Sequence, residues 1–375
     1  MKKVISLIIL LVVCFSTSAW TSLDSSPQEE LLQTYSNRAS LPFDIKLLDD
    51  KNEFEEYAFL LMDYAGSDKA IAVGTLNNYD NIYTSPDNGD IFDIYVNDNY
   101  ILWFEEQELA EAKSKYKLYL YNNQTKFLDV IFEEEFNHNN GWYAISYFGI
   151  YSDKVYWLHN DFTKKVSEIL VYDVSTKKQK ALVSIPFVNK TELDVAISCL
   201  KVHDNLLVYN QLNGTGQKLI AFDIDKNAKA QEVKLDSSVG TIFNVDFEEK
   251  TRYFTLYYYA LNSNGTGKNE AVGAICIDNG KLLELLSLNK NYYLYRERLN
   301  IIGDCIYFDV IANVSGNIED HYFGVIYNYK NHEVYSREHT FNTTFIKNTA
   351  YFLAFEKGKG ANKALLYKGQ PIENY

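Results

Sequence analysis

Apolar and polar residues alternate along most of the chain in short runs, and the runs return at a fixed interval. One run opens on an Asp or Asn turn and continues as an aromatic-rich strand. It reads Asp98-Asn99-Tyr100-Ile101-Leu102-Trp103, then Asp153-Lys154-Val155-Tyr156-Trp157, then Asp204-Asn205-Leu206-Leu207-Val208-Tyr209 and Asp304-Cys305-Ile306-Tyr307-Phe308. The Asp-to-Asp steps are 55, 51 and 100 residues, and a worn copy at Thr251-Arg252-Tyr253-Phe254 sits midway through the last. A second run is an apolar strand ending in Asp or Asn, at Asn122, Asp173, Asp223, Asp278 and Asn328, with steps of 51, 50, 55 and 50. Two markers that keep step over five copies define a repeat of about fifty residues.

Each unit reads as four strands. Val, Ile, Tyr, Phe and Trp at alternate positions favour a pleated, half-buried or buried surface. Asp, Asn, Gly and Lys between them supply tight turns. A lone four-stranded sheet of this composition would expose two apolar faces. Stacking such sheets face to face hides both, so the expected fold class is all-β, a β-propeller of seven four-stranded blades, with six as the alternative. Phe, Tyr and Trp make up 15% of the chain, which fits large flat side chains between twisted sheets. The segment Glu106 to Lys117 breaks the pattern and reads as a long loop between two strands of one blade. The last unit is one strand short, and an N-terminal strand is expected to complete it.

The amino terminus follows a different rule. Lys2 and Lys3 precede an apolar stretch from Val4 to Phe15, and Ser16-Thr17-Ser18-Ala19 supplies small residues. This is the order of a signal peptide, with cleavage expected after Ala19. Lipidation at Cys14 is disfavoured because Val13, not a small residue, precedes it. Residues 1–19 are therefore read as a signal peptide, 20–40 as an N-terminal segment and 41–375 as the propeller domain, in a secreted or extracytoplasmic protein. No other stretch is apolar enough to span a bilayer, so no membrane insertion of the mature chain is expected.

The full chain carries 36 basic and 50 acidic residues. Removing residues 1–19 takes away two lysines and no acids, leaving 34 against 50 and a net charge of −16. Such a surface repels nucleic-acid phosphates and leaves cationic or neutral ligands as the easier partners. Three cysteines remain, Cys199, Cys276 and Cys305, all in apolar runs, and are read as buried free thiols rather than a disulfide framework.

Ser85-Pro86-Asp87-Asn88-Gly89 echoes once, with Asn88 inserted, the Ser-Pro-Asp-Gly turn that TolB-like blades carry before a strand. Together with the repeat over about residues 40–372, it makes the chain resemble bacterial extracytoplasmic β-propellers, broadly of the TolB-like and Kelch-like kinds. The resemblance is architectural. The Kelch Gly-Gly doublet and the Trp-Asp ending of WD40 blades are absent, so no functional residue is carried over.

Motifs for known chemistry are sparse. Asp223-Ile224-Asp225-Lys226-Asn227 opens like a calcium loop, but Ala228 and Lys234 stand where Gly and Glu are required, so a plain turn is the better reading. Asn213-Gly214-Thr215-Gly216 and Asn264-Gly265-Thr266-Gly267 are 51 residues apart and read as equivalent hairpin loops, not phosphate cradles. Neither HExxH nor GxSxG occurs, and His159 and His203 are read as structural. No cofactor and no metal are expected. Carboxylate pairs at Glu105-Glu106 and at Asp246 with Glu248-Glu249 satisfy the residue types of glycosidase chemistry but not its geometry.

Two segments are singled out for ligand binding. His138 and Trp142 lie in an acidic, Asn-rich stretch that joins two blades. Tyr292, Tyr293, Arg296 and Arg298 lie in another, where stacking rings and guanidinium forks occur together. The functional expectation is a binding or interaction module for a protein, peptide or glycan at one face. The alternative is a carbohydrate-active hydrolase or lyase on the same scaffold.

Overall fold

The computed structural model describes Ile45–Leu47, Tyr57–Met62 and most residues from 69 to 371; the segments outside the description include 1–44, 139–146, 188–194, 295–299 and 314–319. The signal peptide, Trp142, Arg296 and Arg298 lie outside the described residues. All the described regular elements are strands, apart from a single 3₁₀ residue at His138.

Seven sheets follow one another along the described chain. After β1 (Ile45–Leu47), the first holds β2 (Tyr57–Met62), β3 (Lys69–Thr75) and β4 (Asn78–Thr84). The second holds β5 (Gly89–Val96), β6 (Tyr100–Ala110), β7 (Lys113–Asn122) and β8 (Leu128–Asn137). The third holds β9 (Phe148–Tyr151), β10 (Lys154–Asp161), β11 (Val166–Asp173) and β12 (Lys178–Pro186). The fourth holds β13 (Leu200–His203), β14 (Leu206–Asn213), β15 (Gly216–Asp223) and β16 (Ala228–Lys234). The fifth holds β17 (Val239–Glu248), β18 (Tyr253–Leu261), β19 (Gly267–Cys276) and β20 (Leu282–Ser287). The sixth holds β21 (Tyr292–Leu294), β22 (Asn300–Ile302), β23 (Cys305–Asn313), β24 (Asp320–Asn328) and β25 (Glu333–Glu338). The last holds β26 (Thr340–Ile346), β27 (Thr349–Lys357) and β28 (Asn362–Pro371). Outside the sixth sheet, where β21 pairs with β23 and β1 with β25, strands pair with their sequence neighbours, the antiparallel meander of a propeller blade.

The repeated Asp and Asn markers are turn-makers. Asn122, Asp173 and Asp223 each accept, on the side-chain oxygen, the N–H three residues on, at 2.8, 2.8 and 2.9 Å. The fifth residue of each turn is left-handed: Lys126 (φ 58°), Lys177 (φ 54°) and Asn227 (φ 49°). The calcium-like segment at Asp223 is therefore one of three equivalent turns. The Gly-rich loops are likewise equivalent, closing the β14–β15 and β18–β19 hairpins.

The chain divides into two compact units, one consisting mainly of Glu55–Asp204, the other mainly of Asn205–Gln211 and Thr215–Tyr375. In the first unit the second sheet shows why both faces had to be apolar. Ile101, Trp103, Tyr119 and Tyr121 pack with Ile71, Ile82 and Tyr83 of the first sheet. The alternate residues Tyr100, Leu102, Phe104, Tyr116, Leu118 and Leu120 pack with Val155, Trp157, Leu170 and Tyr172 of the third. Trp103 and Trp157, both fully buried, occupy the same place in β6 and β10, three residues after the first ladder pair. Trp103 stacks on Tyr119 at 5.1 Å and 9°. Burying an aromatic of this size is worth about 2–3 kcal/mol, and much of the aromatic content goes into packing between sheets. In the second unit β18 repeats the scheme, with Phe254, Leu256, Tyr257 and Tyr258 buried.

Three expectations are corrected. Glu106 to Lys117 is no loop: β6 and β7 run to a tight turn, with Ala110 paired to Lys113. Its Glu, Lys and Ala residues lower local strand propensity, but cross-strand pairing overrides that. The N-terminal strand does not complete the last sheet; β1 pairs in parallel with β25, Ile45 to Val334 and Leu47 to Ser336. Cys199 and Cys305 are buried and in no disulfide, as read, while Cys276 is only partly covered.

Candidate functional site

The site lies in the first unit, on the face of the second sheet that looks toward the third. Ladder register places Glu106 opposite Tyr116, and Tyr116 opposite Glu134, so one row crosses β6, β7 and β8. The next positions along those strands on the same face carry Ser114 and Phe136, paired to each other. His138 follows β8 directly, and its N–H donates to the carbonyl of Ala112 in the β6–β7 turn at 2.7 Å. That bond adds one rung to the β7–β8 ladder and keeps His138 beside the hairpin turn.

Three groups converge on one oxygen. Glu106 Oε1 accepts from Ser114 Oγ at 2.6 Å and from Tyr116 Oη at 3.0 Å, and lies 3.3 Å from His138 Nε2. Ser114 Oγ is also 2.8 Å from His138 Nε2. Because Ser114 gives its only proton to the carboxylate, the imidazole must be the donor to Oγ, which puts a proton on Nε2. Ser114 is buried, whereas the His138 and Glu106 side chains are 37% and 22% exposed, so the cluster opens to solvent on one side. The His138 ring stands edge-on to Phe136 and Tyr116, at 5.5 and 6.1 Å. Burial, reinforced by the Glu106 charge, drives the Tyr116 phenol well above its usual range.

The row continues into the third sheet. His159 Nε2 lies 2.9 Å from Glu134 Oε2, and its Nδ1 lies 3.7 Å from Glu168 Oε2. On the opposite face of the second sheet Glu105 is completely buried. It accepts from the Tyr83 hydroxyl, from Ser85 Oγ at 2.8 Å and from Tyr119 Oη at 3.3 Å. Burial, and the negative charge of Glu105, raise the phenols of Tyr83 and Tyr119, the latter to about 12.

Of the residues singled out from sequence, His138 is placed in this site. Tyr292 and Tyr293 lie in β21, a strand paired with β23, rather than in a loop joining two blades. β21 and β22 both pair with β23, on either side of Phe308 and Asp309, as a first strand of the sixth sheet in two pieces. His138 belongs to the first unit, and Tyr292 and Tyr293 to the second. Glu105 and Glu106 point to opposite faces, so they are not a catalytic pair. Asp246 is buried, paired in register with Thr255, and accepts the Phe247 N–H at 2.8 Å. His159 is buried as read, and His203 lies 3.8 Å from the exposed Asp204. Ser114, Tyr116 and Glu134 were missed. Their signal was present: in the run from Ser114 to Leu120, every second residue is buried, so a serine in phase with Tyr116, Leu118 and Leu120 marks a polar group on an apolar face.

No family model matches the sequence, and no curated protein matches it. Among solved structures, the β-propeller domain of the Trilobed protease from Pyrococcus furiosus is similar at 13% identity, TM-score 0.46, with 75% of this chain and 81% of that one covered. TolB from Acinetobacter baumannii is similar at 12% identity, TM-score 0.40, covering 68% of this chain and 60% of that chain. An oligogalacturonate lyase from Vibrio parahaemolyticus is similar at 10% identity, TM-score 0.49, covering 85% and 88%. The fold class is β-propeller. The propeller's sheets carry the site; the neighbours lend it no residue roles.

Proposed function

We propose that the protein is an extracytoplasmic β-propeller that works by binding a protein, peptide or glycan at the end of its sheets where Glu106, Ser114, Tyr116 and His138 meet. One observation carries this reading: two hydroxyls donate to a single carboxylate oxygen, and His138 Nε2 lies 3.3 Å from it. In a nucleophilic triad the acid and the hydroxyl sit on different ring nitrogens, so that the imidazole can draw the proton off the hydroxyl. Here both sit on Nε2, and the serine proton points to the acid. The wiring orients a carboxylate and leaves Ser114 unactivated, as recognition requires. The Lys2–Ala19 sequence supports export, and no helix among the described residues is long and apolar enough to cross a membrane.

The test is a peptide and glycan array probed with the mature chain and with Glu106→Gln. The expected result is a retained ligand whose binding falls in the variant, with the ligand unchanged after incubation. A second reading, a carbohydrate-active hydrolase or lyase, draws on Glu106 and Glu134 flanking Tyr116 on one face. A glycan cleaved by the native chain and spared by Glu106→Gln would favour it and overturn the first.

A further inference from the structure

Resting on the reading of this face as a binding site, we infer that the group it takes is an organic cation, an ammonium or guanidinium head of the kind a Lys- or Arg-bearing peptide presents. The Glu106 carboxylate is fixed through Oε1 alone; among the described residues Oε2 receives no hydrogen bond, and no Lys or Arg pairs with either oxygen. Several other acids of the second and third sheets are paired with lysines. Glu133, on the far face of β8, is paired with Lys115 at 2.9 Å, Asp129 with Lys177 at 2.9 Å, and Asp161 with Lys164 at 2.8 Å. Among the described residues the one basic group near Glu106 is His138, which is already engaged with Ser114. A carboxylate held rigid, partly desolvated and short of a cation attracts one.

The surroundings select the kind of cation. Glu134, one ladder step beyond Tyr116, adds a second negative charge along the row. Tyr116, Phe136 and His138 supply ring faces and edges beside the carboxylate. A flat guanidinium or a compact ammonium uses one carboxylate oxygen together with aromatic surface. A calcium ion needs six to eight oxygens at about 2.3–2.6 Å, and no cluster of three or more Asp, Glu, His or Cys placed to hold a metal occurs among the described residues.

The mature chain titrated calorimetrically with hexa-arginine and hexa-lysine peptides tests this. Glu106→Gln keeps an acceptor for Ser114 and Tyr116 but removes the charge, and the expected loss is roughly tenfold or more in affinity. Glu133→Gln removes the same unit charge off the site and should stay within about twofold. Ser114→Ala frees the carboxylate to swing and should cost about three- to fivefold; it decides the matter if Glu106→Gln fails to fold. Equal losses in the Glu106 and Glu133 variants would mean diffuse attraction and overturn the inference, as would calcium binding abolished by Glu106→Gln. If neither peptide binds but a neutral array ligand does, in a Glu106-dependent way, the cation inference falls and the binding reading stands. If Glu106→Gln alters no ligand at all, both fall.

Discussion

Glu105 and His159 occupy the same place in successive sheets, five residues after the first ladder pairs of β6 and β10, and both face the sheet before. Their solutions to burial are opposite. Glu105 is an acid wrapped in neutral donors, the hydroxyls of Tyr83, Ser85 and Tyr119, with no cation beside it among the described residues. His159 is a base set between two acids, Glu134 from the sheet before and Glu168 from its own. The fold demands that a polar group at this position be met from the neighbouring sheet; it does not dictate which chemistry meets it. The hydroxyl version is sealed, and the ionic version leaves its acids partly exposed, next to the His138 site. That contrast separates a sealed tie from one that borders the proposed binding surface.

The contrast can be broken from either side. Glu105→Ala should be the most damaging change, because three hydroxyls lose their acceptor around a cavity; about 3–5 kcal/mol of stability should disappear in urea unfolding. Glu105→Gln keeps an acceptor and should cost about 1–2 kcal/mol. If the two cost the same, the hydroxyl cage needs the charge and not merely an oxygen.

His159→Ala should come next, at about 2–3 kcal/mol, since it takes the imidazole from between Glu134 and Glu168 and leaves a buried gap. A loss as large as that of Glu105→Ala would erase the distinction between a sealed and an open tie.

The two ties should also part in alkali. Tyr119 is held to about 12 by burial and by Glu105, so in the unfolded chain it loses its proton near 10, before the folded chain does. The unfolded state then binds fewer protons, so the stability Tyr119 contributes is complete below pH 10 and is lost as pH climbs toward 12. Unfolding followed alongside phenolate absorbance checks this; Tyr119→Phe should flatten the decline. The smallest effect is expected for Glu168→Gln, whose partner is 3.7 Å away, at roughly 0.5 kcal/mol or less.

Much of this was legible in the chain. The repeat, the Asp and Asn turns and the aromatic second strands follow from period-two patterning and turn chemistry, both local in sequence. Strand alternation alone also separates Glu105 from Glu106. What local pattern does not carry is which distant residues meet. Tyr83 with Glu105 and Glu134 with His159 are contacts between sheets, set by packing rather than by neighbours in sequence. His138 could be marked as a loop histidine, but its role depends on a backbone bond to Ala112 in a hairpin whose Glu, Lys and Ala composition hid it. The pairing of β1 with β25 joins segments near opposite ends of the chain and leaves no local trace.

That last pairing has a practical side. Ile45–Leu47 lies along the outside of β25 as an extra parallel strand, occupying amide and carbonyl groups that would otherwise face water in a row. Trimming the chain beyond Leu47 would peel this cover away and leave an adhesive margin for another molecule's backbone. Shortened forms should therefore clump where the intact one stays dispersed.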